Sequence, residues 1–147
     1  MSSHTVQTTI QIANSPEQVI AYLAEPEHRT LYLPSLKSIT NFQGDAHSVG
    51  SSWNWCWSLL GVDFEGSASC TEYEPGTCFE FTTKGGIQST FTYRATADGD
   101  GTSLAITVDF NTPLAVLALP GVDGLLEKTK QAETESIAQN LKTILDQ

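Results

Sequence analysis

The chain has 147 residues, enough for one domain with its own hydrophobic core, and its 39% apolar content is too high for a disordered chain. Seventeen acids against seven bases give a net charge of −10, which excludes a surface that neutralises nucleic-acid phosphates and argues against docking on anionic membranes. Three cysteines with no C-x-x-C pair are neither a disulfide framework nor a zinc site. The start, MSSHTVQTTI, lacks an apolar signal-peptide core, and no apolar run approaches ~20 residues. A reducing cytoplasm and no membrane insertion are expected.

In chain order, residues 4–13 alternate, with Val6, Thr8, Ile10 and Ile12 on one face of a strand. Ser15 then reads as an N-cap, Pro16 as the first helical residue and Gln18 as the far half of a capping box. This short helix ends before Pro26, and a second helical piece covers 27–33 up to Pro34. Turn signals at LLGV, EPGT, KGG and DGDG divide the next stretch into strands near 36–43, 51–60, 62–73, 78–84, 88–97 and 102–111. Short turns between consecutive strands imply an antiparallel meander. Asp123 is expected to cap a long helix over 124–146, with an apolar stripe of Leu126, Ile137, Leu141, Ile144 and Leu145. Thr129, Glu133 and Ser136 interrupt that stripe, as in a helix bordering a cavity or one whose first half is partly exposed.

Parity tests this division. A two-residue turn at Leu60-Gly61 pairs Trp57 with Phe64, Trp55 with Gly66 and Trp53 with Ala68. A turn at Pro75-Gly76 pairs Cys70 with Phe81 and Glu72 with Phe79. A three-residue loop at 84–86 pairs Phe81 with Ser89 and Phe79 with Phe91, and a turn at Gly99-Asp100 pairs Tyr93 with Ile106 and Phe91 with Val108. Every pairing keeps one face apolar and the other polar, a pattern that a one-residue slip would scramble.

The stretches SPEQVIAYLAEPEH, LPSLKSI, VGSSWNW, TEYEPGTCFEFTT, TYRATADGDGTSLAITVDF and the final LKTIL, in this order, resemble the SRPBCC (START/Bet v 1-like) superfamily and, within it, the bacterial polyketide cyclase/dehydrase-like proteins. The resemblance implies an α+β helix-grip fold over residues 1–147: a curved seven-stranded antiparallel sheet wrapped around a long C-terminal helix, with two short helices after strand 1. It also implies a cavity between sheet and helix, and it places Tyr22, His28, Arg29 and Tyr32 near the entrance. It carries no shared catalytic set onto this sequence.

All three tryptophans lie in SWNWCWS at alternate positions, so Trp53, Trp55 and Trp57 share one face of a strand. With Phe64, Phe79, Phe81, Phe91, Tyr93, Ile106, Leu126 and Thr129 they are the candidate ligand-contacting residues; dense packing explains the aromatic members equally well. Small Gly66, Ala68 and Ser89 share the face. Tyr93, interior by parity, and Glu72, on the same face by parity but beside the EPGT turn and so expected at an open rim rather than buried, are the candidate proton donors. Cys70 faces inward and Cys56 and Cys78 outward. His4, His28 and His47 show no metal-ligand spacing, and neither a Gly-x-Ser-x-Gly elbow nor a phosphate-cradling loop is present; no metal or cofactor is expected. The apolar segment 112–121, with Leu114, Val116, Leu117 and Leu119, reads as core, as a lip at the pocket mouth or as a self-association surface, so a homodimer stays open. The expected function is binding of a small hydrophobic, lipid-like or aromatic molecule. The alternatives are a polyketide cyclase or dehydratase, and a protein-interaction module with a filled core.

Overall fold

The computed structural model describes residues 3–113 and 119–146. Among them the chain runs β1 (Ser3–Ile12), α1 (Pro16–Ala24), α2 (Pro26–Tyr32), β2 (Leu36–Gln43), β3 (Ser52–Leu59), β4 (Val62–Glu74), β5 (Cys78–Gly85), β6 (Ser89–Asp98), β7 (Gly101–Asn111) and α3 (Val122–Leu145). The strands form one curved antiparallel sheet in the order β1-β7-β6-β5-β4-β3-β2, gripping α3 as the helix-grip fold requires.

Local chemistry sets the elements. Ser15 caps α1 by accepting the Gln18 N–H at 3.3 Å, and Pro16 opens the helix. The capping box is half formed: the Ser15 N–H goes to Asn14 Oδ1 instead. Leu60 and Gly61 take φ of 53° and 79°, the two positive values that match a two-residue hairpin to strand twist. This turn yields the expected register, Trp57 opposite Phe64, Trp55 opposite Gly66 and Trp53 opposite Ala68. The tryptophans are 3%, 6% and 6% exposed in chain order, and one continuous core unites them with α1, α2, α3 and the inner face of the sheet.

Three expectations need correction. The β4–β5 connection spans Pro75, Gly76 and Thr77, one residue more than expected, and a bulge between Cys70 and Glu72 absorbs the difference. Beyond the bulge every side chain changes face, so Glu72 lies opposite Glu80, and Tyr73, not Glu72, lies opposite Phe79. The β5–β6 register is displaced by two residues, Phe81 pairing with Phe91 and Phe79 with Tyr93. Five residues, 84–88, separate the last pair Thr83–Ser89, two more than expected, and Gly85 continues β5 alongside Gly66. A displacement of two preserves the face, so the apolar layer survives. Finally, α3 starts two residues early behind Gly121 in the left-handed region, and Asp123 sits inside its first turn, accepting the Thr112 hydroxyl at 2.8 Å. Of the 112–121 segment, Leu114, Val116 and Leu117 lie outside the described residues, while Leu119 is 53% exposed.

Gly66 is the tightest point under the tryptophan row. A Cβ there would lie 2.2 Å from Lys84 O and 2.5 Å from the Trp55 ring, whose Nε1–H is held by Ser67 O at 2.8 Å. Gly66→Ala is therefore expected to lower stability by about 2–3 kcal/mol through overpacking, measured by urea unfolding. A change below about 0.5 kcal/mol would contradict this packing of β4 against Trp55 and β5.

Candidate functional site

The site begins where α1 stops. Pro26 disfavours helical backbone at Glu25, so α1 ends at Ala24 with its last carbonyls unpaired within the helix. Two side chains from α2 take them: Tyr32 donates its hydroxyl to Leu23 O at 2.7 Å, and Arg29 donates Nη2–H to Ala24 O at 2.6 Å. These bonds draw Arg29 and Tyr32, three residues apart on one helical face, into the core, where both are 0% exposed.

The Arg29 guanidinium lies 4.0 Å from the Trp53 ring centroid, 5.3 Å from Phe79 and 5.7 Å from Phe42. Its Nε and Nη1 have no hydrogen-bond partner among the described residues. The acid one turn earlier, Glu25, is engaged by His47, whose Nδ1 meets the Tyr73 hydroxyl at 2.9 Å. Burial lowers the Arg29 pKa from its usual value, yet a guanidinium stays charged in proteins. Burying such an ion costs several kcal/mol; a desolvated aromatic contact returns about 2 kcal/mol and a helix C-terminus about 1 kcal/mol. The charge is thus only partly compensated by the protein.

A second cation enters from α3. Lys130, 2% exposed, places Nζ 4.7 Å from the Trp57 ring centroid and 3.3 Å from Glu133 Oε1. Glu133 Oε2 accepts the Ser35 hydroxyl at 2.5 Å. Burial lowers the Lys130 pKa and the Glu133 charge opposes that shift. This cation, unlike Arg29, has its counter-ion.

Between the two cations lies a cavity of about 30 Å³, room for about two waters. Its sheet wall is Trp53, Trp55, Trp57, Phe81 and Phe91, extended by Leu36 and Ile39, which pair with Trp57 and Trp55 from β2; Leu33, Thr83, Ile87, Ser89, Arg29 and Lys130 line it too. Of the expected ligand-contacting residues, the three tryptophans, Phe81 and Phe91 line this space. Phe64, Phe79, Tyr93, Ile106 and Leu126 are buried in the core without lining it. Thr129 turns its hydroxyl back to Leu125 O at 2.8 Å on the exposed side of α3.

Neither candidate proton donor reaches the cavity. Glu72, turned outward by the bulge, lies 3.6 Å from Arg94 with its side chain 42% exposed. The Tyr93 hydroxyl is buried without a partner among the described residues, and burial raises its pKa well above the usual phenol value. Sequence reasoning missed Lys130. The signal was present, because Lys130 occupies the apolar stripe four residues after Leu126 and seven before Ile137.

The cysteines offer no nucleophile to the site. Burial raises the pKa of Cys70 and pushes that of Cys78 up to about 11. Cys78 has the outward parity expected of it, yet it is fully covered, with Glu72 and Arg94 as its charged neighbours. Among the described residues no three His, Cys, Asp or Glu side chains converge to hold a metal.

Comparison with known proteins bears on the family and the fold. The family model described as polyketide cyclase/dehydrase and lipid transport matches residues 3–146. No curated protein matches the sequence. Among solved structures, a START superfamily protein from Mycobacterium smegmatis superposes with a TM-score of 0.78 at 15% identity, covering 97% of each chain. TTHA0849 from Thermus thermophilus superposes with a TM-score of 0.76 at 19% identity, again over 97% of each chain. The di-domain ARO/CYC StfQ of the steffimycin biosynthetic pathway gives a TM-score of 0.77 at 11% identity, over 98% of this chain and 51% of that one.

Two measurements test the site. Arg29→Met removes an incompletely compensated buried charge while keeping apolar bulk. Its unfolding free energy is expected to stay within about 1 kcal/mol of the wild type, relief of the buried charge offsetting the Ala24 carbonyl left without its donor; a loss above about 3 kcal/mol would make Arg29 a structural pillar instead. At pH 7.5 a thiol-reactive disulfide reagent is expected to titrate Cys56 alone in the native protein, and all three cysteines in denaturant. Fast reaction at Cys70 or Cys78 in the native protein would contradict their burial.

Proposed function

The chain belongs to the polyketide cyclase/dehydrase and lipid transport family, within the SRPBCC (START/Bet v 1-like) superfamily, and from that premise we propose that it binds a small hydrophobic, lipid-like or aromatic molecule between sheet and α3. The observation that carries this reading is the cavity whose sheet wall is an unbroken surface of three indoles and two phenyl rings. Ligand sites run to ~300–1,000 Å³, so occupancy requires this space to widen. The fold supports such widening: α3 runs closest to β1 at the sheet's edge, and Leu33 lies in the short connection between α2 and β2.

The narrowness of the cavity favours a second reading, a filled core whose partner is another protein. Thermal unfolding with an apolar fluorescent probe separates the two. Ligand binding predicts a melting temperature that climbs with probe concentration, since a ligand of the folded form adds RT ln(1 + [L]/Kd), together with a change in tryptophan emission. A melting temperature that stays constant up to probe saturation would favour the filled core.

Catalysis has less support. With Glu72 on the outer face and Tyr93 outside the cavity lining, no acid–base pair is assembled from the two candidates. Tyr93→Phe is accordingly expected to change ligand affinity less than about threefold, because no contact between its hydroxyl and the cavity is lost. If a polyketide-like substrate were turned over and Tyr93→Phe slowed that turnover by ~10²–10⁴-fold, the enzymatic reading would replace binding.

A further inference from the structure

The two cations of the cavity are not equivalent. Lys130 is neutralised by Glu133 at 3.3 Å, and the second Glu133 oxygen is taken by Ser35. Arg29 makes no ion pair among the described residues: Glu25 is hydrogen-bonded to His47 and acts on the guanidinium only at a distance, and Nε and Nη1 meet no acceptor. Each cation stands over one end of the tryptophan row, Arg29 over Trp53 and Lys130 over Trp57. The two indoles are four strand positions apart, about 13 Å, with Trp55 between them.

We infer that the molecule taken by this cavity is a monocarboxylic acid, its carboxylate on Arg29 and its apolar body lying along Trp55 toward Trp57. The inference rests on the ligand-binding reading above and sharpens it to a charge, an orientation and a length. The charge follows from the count of cations: one of the two lacks a counter-ion, so one negative charge completes the site. The chemistry follows from the donor. A planar guanidinium offers several parallel N–H groups to a planar carboxylate, and the bond from Nη2 to Ala24 O already fixes its plane. A neutral alcohol or ester leaves the cation unneutralised, and an amine adds like charge. A phosphate monoester brings up to two negative charges where one is needed. The orientation follows from the far end, where Glu133 would repel a second carboxylate while the Trp57 and Phe91 rings accept an apolar tail.

The test uses three matched probes of equal chain length, decanoate, 1-decanol and decylammonium, titrated into the full-length protein and read by tryptophan emission and melting temperature. The wild type is expected to bind decanoate at least about tenfold more tightly than decanol, the order of effect of charge-assisted over neutral hydrogen bonds, and decylammonium least. Arg29→Met is expected to bind decanol and lose the preference for the acid. Glu133→Gln frees Lys130 and is expected to gain about tenfold for the dicarboxylate decanedioate, with little change for decanoate. Equal binding of decanoate and decanol by the wild type would overturn the charge assignment and leave ligand binding standing; this comparison decides even if a variant fails to fold. A preference that survives in Arg29→Met, or no gain by Glu133→Gln, would also overturn it. Binding of none of the three probes would overturn both this inference and the ligand-binding reading.

Discussion

The site depends on a charge that the protein buries without a carboxylate to match it. Arg29 is withdrawn from water by a helix break it helps to complete: the chain turns at Glu25, α1 leaves its last carbonyls unpaired, and Arg29 and Tyr32 close over them. That geometry delivers a guanidinium onto Trp53. The surrounding aromatics and one carbonyl return part of the desolvation cost and leave Nε and Nη1 without acceptors. A buried charge left incomplete destabilises the empty fold, and any ligand that completes it recovers that energy on binding. In this account the stability lost at Arg29 and the affinity gained there are the same quantity.

Lys130 shows the contrasting solution within the same cavity. It is buried as deeply, and it also sits over an indole, but Glu133 one turn away neutralises it and Ser35 satisfies the carboxylate in turn. The row Trp53, Trp55, Trp57 therefore runs between an unpaired cation and a paired one. Strand alternation makes this possible, because three large rings on one face leave Asn54, Cys56 and Ser58 to the other. The cavity is small because Leu33, Arg29 and Lys130 form a layer over the rings and over Leu36 and Ile39 beside them in the sheet. A ligand must displace that layer, so its affinity is the balance of aromatic contact and charge neutralisation against side-chain rearrangement.

Most of the architecture was legible in the sequence. Turn chemistry at Leu60-Gly61 and at the DGDG stretch fixed two hairpins to the residue, and parity placed the tryptophans inward. Where reading failed, the causes were local. A bulge at Cys70–Glu72 has no signature in alternation, since an inserted residue looks like a polar position until the partner strand is known. The two-residue displacement of β6 against β5 was invisible because parity cannot tell a register from one two residues away. The site was half legible. Its apolar wall follows from periodicity, and Trp53, Trp55, Trp57, Phe81 and Phe91 were named from it. Its charges do not, because Arg29 and Lys130 sit on helices where a long cation is ordinarily solvent-facing, and only the third dimension shows that both point into the protein. Lys130 on the apolar stripe of α3 was the one visible anomaly.

The most direct measurement is a crystal structure of the protein grown with decanoate. The account predicts density for the acid inside the sheet–helix cavity, its carboxylate within hydrogen-bond distance of Arg29, its chain along Trp55 and Trp57, and Leu33 moved aside. A chain bound with its carboxylate at the solvent and its tail against Arg29, or a cavity still closed and empty at saturating acid, would contradict it.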